Sequence, residues 1–530
     1  MRLVMRGGTV VDSEGMRRAD VAVQGKTVSA VGDLVAGPDD QVIDCRGRYV
    51  LPGLVDTHCH ADGLMGDESV QRSLLKQGVT TVIAGQDGVS YAPGDGAYAR
   101  EYFAAINGEH PSYSGGGVGA YLAAADERSR LNFAYLVPAG TVRWEVCGRS
   151  KAPADDAQRA AMVALVDEGM REGAVGLSTG LDYVPGVFAT ADEIAALCAP
   201  VARAGGIYVT HMRGGYEANS AAGIQEIARI SAASGARIHI SHFHAQAHIV
   251  HDQLDALRRA GVDATFDAYP YTRGCTLLGM PLLPPELSVL PAESVVEVIT
   301  DPAQRERLRR DWFPAVERNA SLGPQWPSMI TLAHVAAPEF AWAHGLTLED
   351  AAAQAGTDAV DLALNVLAAS RLQVNAVMAV RHERPVTELA RIFSHPGHMG
   401  GSDGIFIGAH PHPRARGTFA RYLREYVRET QEWSWPDAVS HLSTAPVTRF
   451  GLGRRGRVAA GWIADLIVVD PRTVADTATY DQPLGEAVGI DDVLVAGEPV
   501  LANGALLDST PGRGLRRGHA QGQGKPCPRA

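Results

Sequence analysis

The chain of 530 residues contains no apolar run long enough to cross a bilayer, which predicts no membrane association. Its six cysteines, Cys45, Cys59, Cys147, Cys198, Cys275 and Cys527, form no C-x-x-C pair. Neither a disulfide framework nor a cysteine-rich zinc knuckle is therefore indicated. Basic charge is in deficit: 48 Lys and Arg stand against 60 Asp and Glu, a formal charge of -12. Without a concentrated basic face, nucleic acid is excluded as a partner. The opening residues Met1-Arg2-Leu3-Val4-Met5-Arg6-Gly7-Gly8 lack a signal peptide's apolar core, so the expected location is cytoplasmic.

What is present is ordinary globular composition, 46% hydrophobic and 20% charged, over a length that suits one large barrel plus a smaller domain. Residues 1 to about 50 read as brief strands separated by turns (Leu3-Val4-Met5, Thr9-Val10-Val11, Asp20-Val21-Ala22-Val23). Ile463–Asp470 and Val493–Val500 have the same texture. Chain ends of like character predict one discontinuous β-sandwich domain, residues 1–52 with 451–511. The Gly- and Arg-rich stretch 512–530 reads as a disordered tail.

Between the ends, strand-like runs alternate with helical patterns. The runs are Val50–Asp56, Thr80–Ala84, Asn132–Val137, Ala174–Ser178, Ile207–Thr210, Arg237–Ser241, Ala264–Ala268 and Met399–Ser402. Helices are expected at Gln158–Glu172, Ala191–Ala204, Ser220–Ser234 and His251–Ala260. This alternation implies an α/β fold with a parallel sheet, and eight units imply a TIM-like (β/α)8 barrel over 53–450. The seventh-to-eighth connection is too long for a loop. Its Pro-rich opening at Leu282-Leu283-Pro284-Pro285 and the helical Pro302–Asn319 predict an inserted subdomain at about 284–330, followed by a helix over Leu346–Ser370 capped by Thr347.

Reactive groups in such a barrel sit at the carboxyl ends of the strands. His58 and His60 follow the first run and, two apart in extended chain, face the same side. Asp87 follows the second, His211 the fifth, His242 the sixth and Asp403 the eighth. Singly each has a plain reading: Gly85-Gln86-Asp87-Gly88 as a tight turn, His211 as a hydrogen-bonded barrel residue, Asp403 as a helix cap. Together, four imidazoles and two carboxylates on one face are costly to hold without a metal. Ala174–Gly180 carries neither lysine nor glutamate.

From Pro52-Gly53-Leu54-Val55-Asp56-Thr57-His58-Cys59-His60 onward the chain resembles the amidohydrolase superfamily, and within it the D-aminoacylase (N-acyl-D-amino-acid deacylase) family. The likeness continues through Gly78-Val79-Thr80-Thr81-Val82, Gly176-Leu177-Ser178-Thr179-Gly180-Leu181-Asp182-Tyr183, Thr210-His211-Met212-Arg213, Ile240-Ser241-His242, Asp267-Ala268-Tyr269-Pro270-Tyr271, Gly401-Ser402-Asp403-Gly404 and Pro411-His412-Pro413-Arg414. Gly456-Arg457-Val458 with Gly461-Trp462-Ile463-Ala464-Asp465 marks the strand domain of that superfamily.

The resemblance implies hydrolysis of a linear amide with zinc held by His58, His60, Asp87, His211 and His242. It also implies that Asp403 shuttles the proton. Two departures stand out. The family's zinc-ligating cysteine in the second-strand loop is Asp87 here, a harder ligand that leaves open one ion or two, and manganese or cobalt. The family's lysine two residues after the sixth-strand histidine is His244. A free amino-acid carboxylate needs a fixed cation, for which Arg414, with Tyr269 and Arg213, is the candidate set. The substrate is then a small molecule. Two rival readings remain, a related C–N hydrolase acting on a dipeptide or natural-product intermediate and a non-catalytic metal-binding relative.

Overall fold

The computed structural model describes residues 2–518 apart from Ser112, Glu127, Ala320 and His382, and excepting the side chain of Ala218. Eight parallel strands form its centre: β1 (Leu54–Asp56), β2 (Val79–Ala84), β3 (Asn132–Pro138), β4 (Gly176–Gly180), β5 (Ile207–His211), β6 (Arg237–Ile240), β7 (Ala264–Ala268) and β8 (His398–Gly400). Both faces are covered, so the strands read as continuous apolar runs. The period of two still sorts them. In β3, Ala134 and Leu136 point into the barrel with Val55, Ile83, Val175, Ile207, Val209 and Met399, while Phe133, Tyr135 and Val137 pack outward.

Closure differs from the other seams. β8 pairs with β7 but forms no ladder with β1. Instead Thr57 N–H donates to the Gly400 carbonyl at 3.1 Å and Asp403 N–H to the His58 carbonyl at 2.8 Å. Just beyond, Cys59–His60 pairs in parallel with Gly404–Ile405. The buried Asp56 carboxylate ties both sides, accepting from the Ser402 amide, the Ser402 hydroxyl and the His58 amide. Burial raises Asp56 to about 7, with those donors opposing.

Helices cover the outside where local signals place them. Asp156–Arg171 opens on a capping box between Asp155 and Gln158, and Ala191–Arg203 on the Thr190 side chain. The helix expected to begin at His251 starts earlier, at Ala247.

The chain ends combine as well. Leu466–Val469 runs antiparallel to Tyr49–Pro52 in a seven-stranded sheet, facing a four-stranded sheet of Arg2–Arg6, Asp20–Gln24, Thr27–Gly32 and Gln41–Asp44. Alternation divides the work along one strand. Leu466 and Val468 fill the core shared with Leu3, Met5, Val21 and Val50, whereas Ile467 and Val469 join the core beneath the barrel helices.

The insertion is larger than 284–330. Its antiparallel sheet, Gly274–Leu277, Val374–Met378 and Ile330–Val335, lies almost entirely outside that stretch. The helix expected over Pro302–Asn319 breaks at Trp312, just before Pro314. The one expected over Leu346–Ser370 is two, Leu348–Ala355 and Ala359–Ala369, stopped between by Gly356 in the left-handed region at φ 68°. Thr347 does cap the first of these, accepting from the Asp350 amide.

The expected tail also needs correction. Residues 512–518 lie against the bottom of the barrel: Arg513 O accepts from Phe133 N–H at 2.9 Å, and Leu515 N–H donates to Phe133 O at 2.6 Å. Leu515 is buried in the barrel interior. Apart from that side chain the segment is Gly and Arg, so composition alone hid its docking. Residues 519–530 fall outside the described residues.

Candidate metal centre

His58, His60, Asp87, His211, His242 and Asp403 converge at the carboxyl ends of the strands, all buried. Sharp turns off the strand ends bring three of them over the mouth. Asp87, His242 and Asp403 have φ of 54°, 34° and 48°, a region that L-residues other than Asn and Asp seldom adopt. The Asp87 turn is over-determined by its neighbours. Gly85 N–H donates to Asp62 at 2.8 Å, Gly88 N–H to Ser178 Oγ at 3.1 Å, and Gln86 Nε2 to the Thr57 carbonyl at 2.8 Å. The same motif is thus both the tight turn and the ligand position. Gly180 completes the fit, because a Cβ there would stand 2.2 Å from the Asp87 carbonyl oxygen.

The donor atoms form two groups sharing Asp87: His58 with His60, and His211 with His242. Asp87 Oδ1 lies 3.7 Å from His58 Nε2 and 3.8 Å from His242 Nε2, and Oδ2 is 3.6 Å from His60 Nε2. His211 Nδ1 and His242 Nε2 are 3.2 Å apart. Ligands about 2.0–2.1 Å from a tetrahedral cation stand ~3.4 Å apart, so these spacings suit coordination. His58 Nε2 and Asp87 Oδ1 are buried with no hydrogen-bond partner, which a cation would satisfy. The residues fit one or two divalent ions bridged by Asp87.

The surroundings hold the rings for that role. His60 Nδ1 meets Asn107 Oδ1 at 2.8 Å and His211 Nε2 meets Asp182 at 3.2 Å, each leaving the other nitrogen for the cluster. Asp267, fully buried at the end of β7, stands 3.6 Å from His58 Nδ1 and accepts from the His242 amide at 2.8 Å. Burial opposes charge on Asp87 and Asp403, yet the surrounding imidazoles, with Arg414 at Asp403, hold both below the usual carboxylate range. Burial likewise opposes charge on His60, but Asp403 and Asp87 raise it to about 10.

Beside the cluster, Asp403 Oδ1 lies 3.3 Å from His60 Nε2, and Oδ2 pairs with Arg414 at 2.8 Å. Arg414 is wholly buried, its guanidinium 4.6 Å above the Tyr269 ring, with Nε and Nη1 unpartnered. His412 sets it in place, its Nδ1 accepting from the Arg414 amide at 3.0 Å. A chamber of about 200 Å³ is lined by His60, Asp87, His211, His242, His244, Tyr269 and Asp403.

An amidohydrolase family model matches residues 41–283 and 306–501. The chain belongs to the amidohydrolase family. It is 32% identical over 525 residues to N-acyl-D-glutamate deacylase of Alcaligenes xylosoxydans xylosoxydans, covering 97% of this chain and 96% of that protein. D-aminoacylase of the same organism is likewise 32% identical, over 97% of each chain. Among solved structures, N-acyl-D-glutamate deacylase from Bordetella bronchiseptica, complexed with zinc and a phosphonate mimic of the tetrahedral intermediate, superposes with a TM-score of 0.80. It is 30% identical and covers 97% of this chain and 99% of its own.

Within this amidohydrolase the residues read from sequence separate into two groups. Arg414, Tyr269 and His244 flank the metal cluster, and both His244 ring nitrogens are buried without a partner. Arg213 does not join them. Its Nε pairs with Glu226 at 3.1 Å, and its Nη1 and Nη2 donate to the Val187 and Ala189 carbonyls at 2.6 and 2.7 Å. With every nitrogen engaged it braces the loop after β4. Sequence reasoning missed Asp267, Asn107 and Asp182, the supports of the imidazoles. Asp267 and Asp182 carried a signal, in the motifs Asp267-Ala268-Tyr269-Pro270-Tyr271 and Gly180-Leu181-Asp182-Tyr183, and Asn107 carried none. Among the described residues no helix is long and apolar enough to cross a membrane.

Proposed function

We propose that this amidohydrolase cleaves the amide bond of an N-acyl-D-amino acid, giving a carboxylate and a free D-amino acid. One observation carries the reading: two imidazole pairs share a buried carboxylate beside Asp403, in a chain similar over nearly its full length to such deacylases. The D-configuration rests on those relatives. His58, His60, Asp87, His211 and His242 are the proposed ligands of zinc, one ion or two, with the carboxylate at 87 also admitting manganese or cobalt. A cation held there polarises the acyl carbonyl and acidifies water.

The chain's own groups do the rest. Asp403 Oδ1, kept ionised by Arg414 and the imidazoles, accepts the proton of the attacking water. It then returns that proton to the departing nitrogen. Arg414 fixes the other Asp403 oxygen and retains two donors for the substrate α-carboxylate. Tyr269 and His244 form the adjoining wall. Five described cysteines are unpaired, in keeping with a reducing compartment, and cytoplasm is our proposed location. A second reading, a related C–N hydrolase of a larger amide such as a dipeptide, is favoured by an outer cavity of about 1040 Å³.

Metal-reconstituted protein should turn over N-acetyl-D-methionine and not its L-form. Asp403→Ala should keep its metal and lose about 100- to 10,000-fold in kcat, whereas Asp87→Ala should also lose metal. Undiminished turnover in Asp403→Ala would refute the proton shuttle.

A further inference from the structure

The inner chamber adjoins the outer cavity, and Arg384 and Glu217 line both. Arg384 lies in the insertion, between the strand Val374–Met378 and the helix Val386–Phe393. Glu217 opens the short turn after β5 and holds a left-handed φ of 58°. The two form an ion pair, the arginine side chain only 9% exposed and the glutamate 42%. Arginine is seldom buried unless fully paired. Here Nη1 meets Glu217 while Nε is buried with no partner, so half of a fork suited to a carboxylate goes unused. A half-exposed partner contributes little to holding such a charge. The proposed deacylase chemistry makes no use of this guanidinium, since Arg414 serves the α-carboxylate.

We propose that Arg384 is a specificity-determining residue that binds a second carboxylate on the substrate, and that Glu217 occupies its place until the substrate displaces it. The inference rests on the deacylase reading. The second carboxylate belongs to an acidic amino-acid side chain or to a diacid acyl group. Both present the same chemistry at the junction of the two cavities.

The test uses the metal-loaded full chain and matched pairs differing only in that charge. These are N-acetyl-D-glutamate against N-acetyl-D-glutamine, and N-succinyl-D-methionine against its succinamoyl counterpart. In one pair the carboxylate form should have a kcat/KM about 10- to 100-fold higher, the value of a charge-assisted contact. Which pair responds identifies the source. Arg384→Met should bring that ratio close to one, Arg384→Lys should restore part of it, and Glu217→Gln should lower KM for the anionic member. A ratio near one in both pairs for the unaltered enzyme, or a ratio preserved in Arg384→Met, overturns the proposal. If N-acetyl-D-methionine is hydrolysed while neither pair discriminates, only this inference fails. If no N-acyl-D-amino acid is hydrolysed, the deacylase reading fails and takes the inference with it.

Discussion

Asp267 shows how much one carboxylate can organise. It lies beside His58 Nδ1, bonds His239 Nε2 at 3.0 Å, and receives the His242 amide, touching both halves of the metal cluster without joining it. Asp267→Asn should keep the fold and lower metal affinity about 10- to 100-fold, measured by competition with a chromophoric chelator. Unaltered affinity would mean that the rings are oriented by packing alone. The clustering of these histidines was legible because they end apolar strands, where the register of two and the barrel rule act on few residues. The supports were not, since Asn107 ends the helix Ala97–Asn107, Asp182 sits in a loop, and both meet their imidazoles only through tertiary contact. Arg213 misled for the same reason: its neighbour His211 is in the site, yet its partner Glu226 is on the next helix. Arg384 gave no local sign at all.

At the scale of elements, the turn after β2 and the end of β4 form one unit. Gly180 lies so close to Asp87 that even a methyl group must push the turn away. Gly180→Ala should therefore cost about 1–3 kcal/mol and reduce bound metal, read by a lowered unfolding temperature and by elemental analysis. Full metal content at unchanged stability would show that the turn yields freely. The barrel elements were readable because strand and helix periods differ and caps such as Asp155 and Thr190 are local. The insertion was not. Its strands pair across Gly274 to Met378, and nothing in a short apolar run states its partner. Its longer helices were over-read because Gly356 divides two stretches that are each amphipathic, and because the chain turns at Trp312 and starts a new helix on Phe313-Pro314.

For the whole molecule, the segment 512–518 binds the small domain's exit to the barrel floor. Arg516 pairs with Asp126 at 3.0 Å, and Arg517 N–H donates to the Gly173 carbonyl at 2.9 Å. Leu515 fills the interior below the metal cluster. Relative to a chain ended at 518, one ended at 511 should have a lower unfolding temperature, and Leu515→Ala should cost about 2–5 kcal/mol. Calorimetry distinguishes these outcomes, and equal stability of the two truncations would assign the segment no structural work.

The seam between β1 and β8 has a further bearing on how the protein comes into being. His58 and His60 leave the ribosome early, but the amide that pins the His58 carbonyl belongs to Asp403, and Ser402 anchors Asp56 from the same turn after β8. Biosynthesis thus delivers the chelating rings long before the strand that clasps them and brings the acid. A chain stopped short of that point is left an unfinished cylinder without the proposed proton carrier, so the proposed catalysis must wait for the last stave.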